Sequence, residues 1–159
     1  GIRIAVITDW DPLDGSKQPL GKARAISIWD AFCAVRPEMH KPSAEEKAWF
    51  VDKGFEECSD VWKKAGIFLS PQTFEVSVAN TPILKDALLN ILDAQGFGSL
   101  RSSRIASWRT GQDPEPAQLL AMISDIGKGR LAAKLKKKAS GLAPPEYIAA
   151  AIQYVVSNV

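Results

Sequence analysis

Ile4-Ala5-Val6-Ile7-Thr8-Asp9-Trp10-Asp11-Pro12 is an apolar, β-branched run that ends abruptly in two carboxylates. Such a run reads as a buried strand that delivers charge at its C-terminal tip. Side chains alternate along a strand, so Asp9 and Asp11 are expected on one side of the chain and Trp10 on the other. In an open α/β sheet, ligands bind at the C-terminal edge of the strands. Two clustered carboxylates there suit a hard, oxygen-seeking cation such as Mg²⁺. The bland alternative is that both acids hydrogen-bond a surface turn, since Asp11-Pro12 and Asp14-Gly15 are ordinary turn signals. Like charges so close need a partner, which favours the metal reading.

Outward from this strand the pattern turns helical. Pro12 to Leu20 is rich in loop residues, and Gly21 leads into a helix over about 22–35 with Ile26, Trp29 and Cys33 on its apolar side. Arg36-Pro37 stops it. Ser43-Ala44-Glu45-Glu46 is a capping-box pattern, and the helical region it opens is divided at Gly54 and closed by Lys63, Lys64 and Gly66. Ile67-Phe68-Leu69-Ser70 reads as a second strand. Phe74, Val76 and Val78 alternate with polar residues, so Thr73 to Val78 is expected to be a third; with Ile67 to Ser70 it makes a second strand edge that presents Ser70 and Glu75. Thr81-Pro82, Pro116 and Pro144-Pro145 each precede a helical pattern, and a lysine-rich helix follows Ile126-Gly127-Lys128-Gly129-Arg130. Strands are few and early and helices many and late, so the fold class is α/β: a small sheet covered by helices, with a helix-rich C-terminal half.

At 159 residues and 46% hydrophobic, the chain is long enough for one compact domain with a real core. It has no apolar run of transmembrane length and no basic-then-apolar leader, so no membrane partner and a cytoplasmic address are expected. Cys33 and Cys58 fall in apolar-patterned stretches without a CxxC pair and read as reduced core residues. The chain starts at Gly1 and enters a core-type strand at once, which looks like a piece of a longer protein. Residues 1–100 carry 11 basic and 14 acidic groups, whereas residues 101–159 carry 9 and 4. An acidic first part and a basic second part suit an anionic partner bridged by a cation.

Asp9, Asp11, Ser70 and Glu75 form the strand-end set. Lys128, between two glycines ahead of a helix, is placed to meet an anion, the alternative being an exposed loop lysine. Gly127-Lys128-Gly129 is too short for a phosphate-cradling Walker loop. Arg130, Lys134 and Lys136 to Lys138 read either as a solvated basic face or as contacts to a phosphate backbone. Arg101, Arg104 and Arg109 with Trp108 are a weaker version of the same choice. His40, the sole histidine, reads as a surface-loop residue, which removes Ser-His-Asp chemistry.

Taken in order, Val6 to Pro12, Gly66 to Ser70 leading to Thr73-Phe74-Glu75, and Ile126 to Ala132 followed by a proline pair and a final helix resemble the C-terminal Toprim region of the OLD (overcoming lysogenisation defect) family of nucleases. The resemblance covers nearly the whole chain and implies a Toprim α/β fold and metal-dependent DNA cleavage. It implies residues 1–159 as the catalytic region, with a further strand and an ABC-type ATPase domain upstream. By position, Asp9 and Asp11 would be ligands of Mg²⁺ or Mn²⁺, two ions in all. Glu75 and Ser70 would complete or orient the second ion's shell. Lys128 would stabilise the transition state, and Arg24 would contact substrate by the same analogy; Arg130 and Lys134 would contact DNA where the basic face meets a phosphate backbone. Homo-oligomerisation is left open. The pattern departs from the family in lacking an upstream glutamate, which no residue before Gly1 supplies.

Two rivals remain. A haloacid-dehalogenase-like phosphatase also has a strand-end Asp-x-Asp, a strand-end Ser or Thr and a distant Lys, although Pro12-Leu13-Asp14 departs from its usual continuation. A non-catalytic module would use the basic half to hold nucleic acid or a subunit.

Overall fold

The computed structural model describes residues 3–11, 19–36, 41 and 43–157, with the side chain of Val51 set aside. Residues 12–18 of the loop expected from Pro12 to Leu20, the expected helix stop at Pro37 and the lone His40 lie outside the described residues. The chain forms two compact units, residues 1–73 with 146–159 and residues 74–145, where its length alone led to one. Each unit has its own hydrophobic core.

In the first unit, strand β1 (Val6–Asp9) pairs in parallel with β2 (Ile67–Ser70), Val6 opposite Ile67 and Asp9 opposite Ser70. The Trp10 N–H continues the ladder by donating to the Ser70 carbonyl at 2.9 Å. β2 is buried end to end, as a continuous apolar run predicts. β1 is only half-buried, with Ile7 45% exposed, because among the described residues it pairs along one edge alone. On one face Ile67 and Leu69 join Trp10, Ala25, Trp29, Phe50, Cys58 and Trp62. On the other, Phe68 meets the ring of Tyr154 edge-on, at 5.6 Å, from helix α9 (Glu146–Val156).

Helices α1 (Leu20–Val35), α2 (Ala44–Asp52) and α3 (Phe55–Lys64) build the first face. The capping box forms as the sequence predicts: the Ser43 N–H donates to Glu46 Oε2 at 2.7 Å, and the Glu46 N–H to Ser43 Oγ at 3.1 Å. Gly54 separates α2 from α3, and its N–H donates to Glu57.

The second unit is helical: α4 (Phe74–Ala79), α5 (Pro82–Asp93), α6 (Ser99–Arg109), α7 (Pro116–Ile126) and α8 (Lys128–Lys138). Leu88, Leu89 and Leu92 of α5 pack with Ile105, Leu119, Met122 and Ile123. The third strand expected over Thr73 to Val78 is therefore replaced by α4, and Glu75 sits on a helix and not on a sheet edge. Residues 75 to 79 are all buried, so alternation had no solvent face to record. The short helix satisfies its own buried carbonyls, the Asn80 N–H donating to Val76 at 2.9 Å. Burial thus outweighs the strand preference of Val76 and Val78. Among the described residues the result is a helix-rich α/β fold with a small parallel sheet, Toprim-like in layout.

Candidate functional site

At the tip of β1 the chain is clamped against the start of α1. The Gly21 N–H donates to the Trp10 carbonyl at 3.0 Å. A Cβ at Gly21 would lie 2.5 Å from both the Asp9 carbonyl oxygen and Trp10 Cα, so only glycine lets the helix come this close. The sequence marked Gly21 merely as a helix lead-in; a glycine opening a helix soon after a strand tip is the signal for such contact. Lys22, also missed, is buried, with its ammonium 5.4 Å from the centre of the Trp10 ring. Burial pushes the Cys58 thiol pKa up, and the Lys22 charge works against that rise.

Asp9 ends the strand half-buried, opposite the fully buried Ser70. Trp10 turns into the core against Phe55 and Trp62, as alternation requires. Asp11 lies beyond the strand with φ of 48°, a left-handed conformation, so strand alternation does not set its direction. Its Oδ2 meets Arg24 Nη1 of α1 at 2.5 Å. The structure thus brings Asp9, Asp11, Ser70 and Arg24 into one unit, around the end of β1.

Glu75, Lys128, Arg130 and Lys134 belong to the other unit. Glu75 is buried on α4, and Lys128 Nζ reaches its Oε1 at 3.1 Å while the lysine side chain stays 72% exposed. Lys128 does not precede α8 in a loop; it is the first helical residue. Gly127, at φ 85°, joins two helices: its N–H closes α7 on Ile123 and its carbonyl accepts the Leu131 N–H of α8. α8 buries Leu131 and Leu135 and exposes Arg130, Lys134 and Lys136 to Lys138. Lys134 donates to Gln95 at 3.2 Å, whereas Arg130 and the last three lysines make no ion pair among the described residues. The weaker basic set is partly engaged: Arg101 pairs with Asp125, and Arg109 donates to Asn90 at 2.8 Å.

Asp9 and Asp11 offer hard oxygen donors of the kind that Mg²⁺ takes one or two at a time, keeping waters and phosphate oxygens for the rest of its shell. In donor chemistry they fit such an ion. Among the described residues, however, no three His, Cys, Asp or Glu side chains gather as a metal cluster.

The two-stranded parallel sheet, its covering helices and the helical unit inserted before the last helix define the class of fold. That fold is shared with the C-terminal region of the Burkholderia pseudomallei OLD protein, at 21% identity and TM-score 0.64, over 96% of this chain and 68% of that one. It is shared equally with the C-terminal region of the Xanthomonas campestris pv. campestris OLD protein, at 19% identity and TM-score 0.64, over 95% and 66%. The chain therefore spans about two-thirds of the length of each. No protein-family model and no curated protein matches it. Among the described residues no helix is long and apolar enough to cross a membrane.

Proposed function

We propose that this chain is the catalytic region of an OLD-type nuclease, cleaving DNA phosphodiesters with Mg²⁺ or Mn²⁺. The observation that carries the reading is the pair Asp9 and Asp11 at the tip of a parallel strand, clamped by Gly21, in a fold shared with OLD C-terminal regions. A bound ion there would neutralise non-bridging phosphate oxygens and make coordinated water more acidic. Asp9 and Asp11 would hold it, with Ser70 orienting the strand end. Arg24 keeps Asp11 in place and is the near cation for an incoming phosphate. Lys128 supplies positive charge where negative charge develops, and Glu75 anchors its ammonium. Arg130 and Lys134, with the lysines that follow, contact the DNA backbone without reading its sequence. In this proposal an ABC-type ATPase domain and a further acid-bearing strand belong to the same polypeptide.

A second reading has an observation in its favour. Asp11 and Glu75 are each already neutralised by a cation of the chain, Arg24 and Lys128, as structural acids would be. In that case the protein holds nucleic acid through α8 and cleaves nothing. Calorimetry with Mg²⁺ and Mn²⁺ on the wild type and on Asp9→Asn separates the two. Nuclease chemistry requires divalent binding that the variant loses; identical heats in both proteins, with DNA binding indifferent to EDTA, favour the binding module.

A further inference from the structure

Arg24 has two roles at the β1 tip, and they exclude each other. Its Nη1 meets Asp11 Oδ2 at 2.5 Å. In that position the guanidinium cannot turn to a phosphate, and it sets a positive charge against the carboxylate that a divalent cation has to use. We propose that Arg24 is a latch on Asp11 that substrate phosphate and divalent cation open together, so that each binds more tightly once the other is present. Coupling of this kind presupposes Asp11 as a metal ligand, the reading proposed above, and adds the regulation of that site.

Asp11 is the fixed half of the pair. Both backbone polar groups of Trp10 before it are engaged, the N–H with the Ser70 carbonyl at 2.9 Å and the carbonyl with the Gly21 N–H at 3.0 Å. Asp11 itself holds a φ of 48°, a sparsely populated conformation that aspartate tolerates. Arg24 is the half that can leave. It reaches Asp11 through a long side chain from α1, and that side chain is about half exposed, so a phosphate can replace the water on its open side. An ion pair this exposed is weak, and a guanidinium fork matches phosphate as well as it matches carboxylate. Exchanging one anion for the other is therefore close to neutral. Keeping Arg24 in place beside a divalent ion instead sets two cations against one carboxylate. Whichever ligand binds first must open the pair, and the second finds it open. By linkage both affinities change by the same factor, up to about fivefold for an exposed pair.

The test is the affinity of the 159-residue chain for a short fluorescein-labelled DNA duplex, read by anisotropy at constant ionic strength. Wild type and Arg24→Gln are each measured without divalent ion and at the Mn²⁺ concentration that saturates a calorimetric titration. Direct bridging of Mn²⁺ to phosphate acts alike in both proteins. Competition of Mn²⁺ for DNA phosphates weakens the wild type more, because it brings one more cation to the DNA, so competition shrinks the predicted difference and cannot create it. Mn²⁺ should improve DNA affinity by up to about fivefold more in wild type than in Arg24→Gln. Equal improvement in the two proteins, or a larger one in Arg24→Gln, means that Arg24 stays on Asp11 Oδ2 while the ion uses Oδ1; that result overturns the latch and leaves the metal site standing. Mn²⁺ heats that Asp11→Asn leaves unchanged would remove Asp11 as a ligand, and the latch with it.

Discussion

Arg24 and Asp11 compete with any cation that Asp11 is to hold, and their pair is partly exposed, with side chains 47% and 25% accessible. Such a pair contributes at most about 1 kcal/mol. If Asp11 is a ligand, Arg24→Gln should raise Mn²⁺ affinity by up to about fivefold, while Asp11→Asn lowers it; calorimetry that finds both variants unchanged removes Asp11 from the site. Lys128 and Glu75 pose a different question, since a buried carboxylate left without its cation is destabilising in itself. With the lysine mostly exposed, Lys128→Ala should cost only about 1 kcal/mol of stability. Glu75→Gln in the same chain should recover that loss. In the longer polypeptide that carries the proposed upstream strand, turnover should fall about a hundredfold in Lys128→Ala and not recover in the double variant. Recovery of the rate would make the pair structural. At this scale the strand-tip acids were legible, because an apolar run ending in charge states where a strand stops. The left-handed turn at Asp11 and the burial of Lys22 were not, since both depend on how closely α1 approaches.

The approach of α1 is itself testable through glycine. Gly21→Ala places a methyl 2.5 Å from backbone atoms of Asp9 and Trp10, which cannot yield as a side chain would. It should destabilise the protein by about 1–3 kcal/mol in a urea titration. Gly129, in the first turn of α8, has nothing within 4 Å of the place a methyl would take, and Gly129→Ala should instead gain about 0.4–1 kcal/mol. Similar effects at the two positions would refute the close approach. The helix starts of α2, α5 and α7 were readable from Ser43, Pro82 and Pro116, because capping chemistry is local. α4 was not readable: its strand-like alternation carries no information once every residue from 75 to 79 is buried by long-range packing.

For the whole molecule, the sequence's length was not informative: two cores, each in its own unit, replaced the one expected. The basic surface of α8 makes a collective prediction. Replacing Lys134, Lys136, Lys137 and Lys138 by Gln should flatten the salt dependence of DNA binding by about 0.9 per lost phosphate contact, leaving the fold intact. An unchanged slope would place DNA elsewhere. The central claim, metal-dependent cleavage built on Asp9 and Asp11, is tested most directly by nicking of supercoiled plasmid in Mn²⁺. Three proteins are compared: residues 1–159, the longer polypeptide carrying the proposed upstream strand and its acid, and that polypeptide with Asp9→Asn. Because the proposed site takes a further acid from the upstream strand, the 159-residue chain should cut at or near background. The longer polypeptide should nick in Mn²⁺, stop in EDTA, and lose its activity with Asp9→Asn. Metal-dependent nicking that persists in Asp9→Asn, or no nicking by the longer polypeptide, would contradict the account.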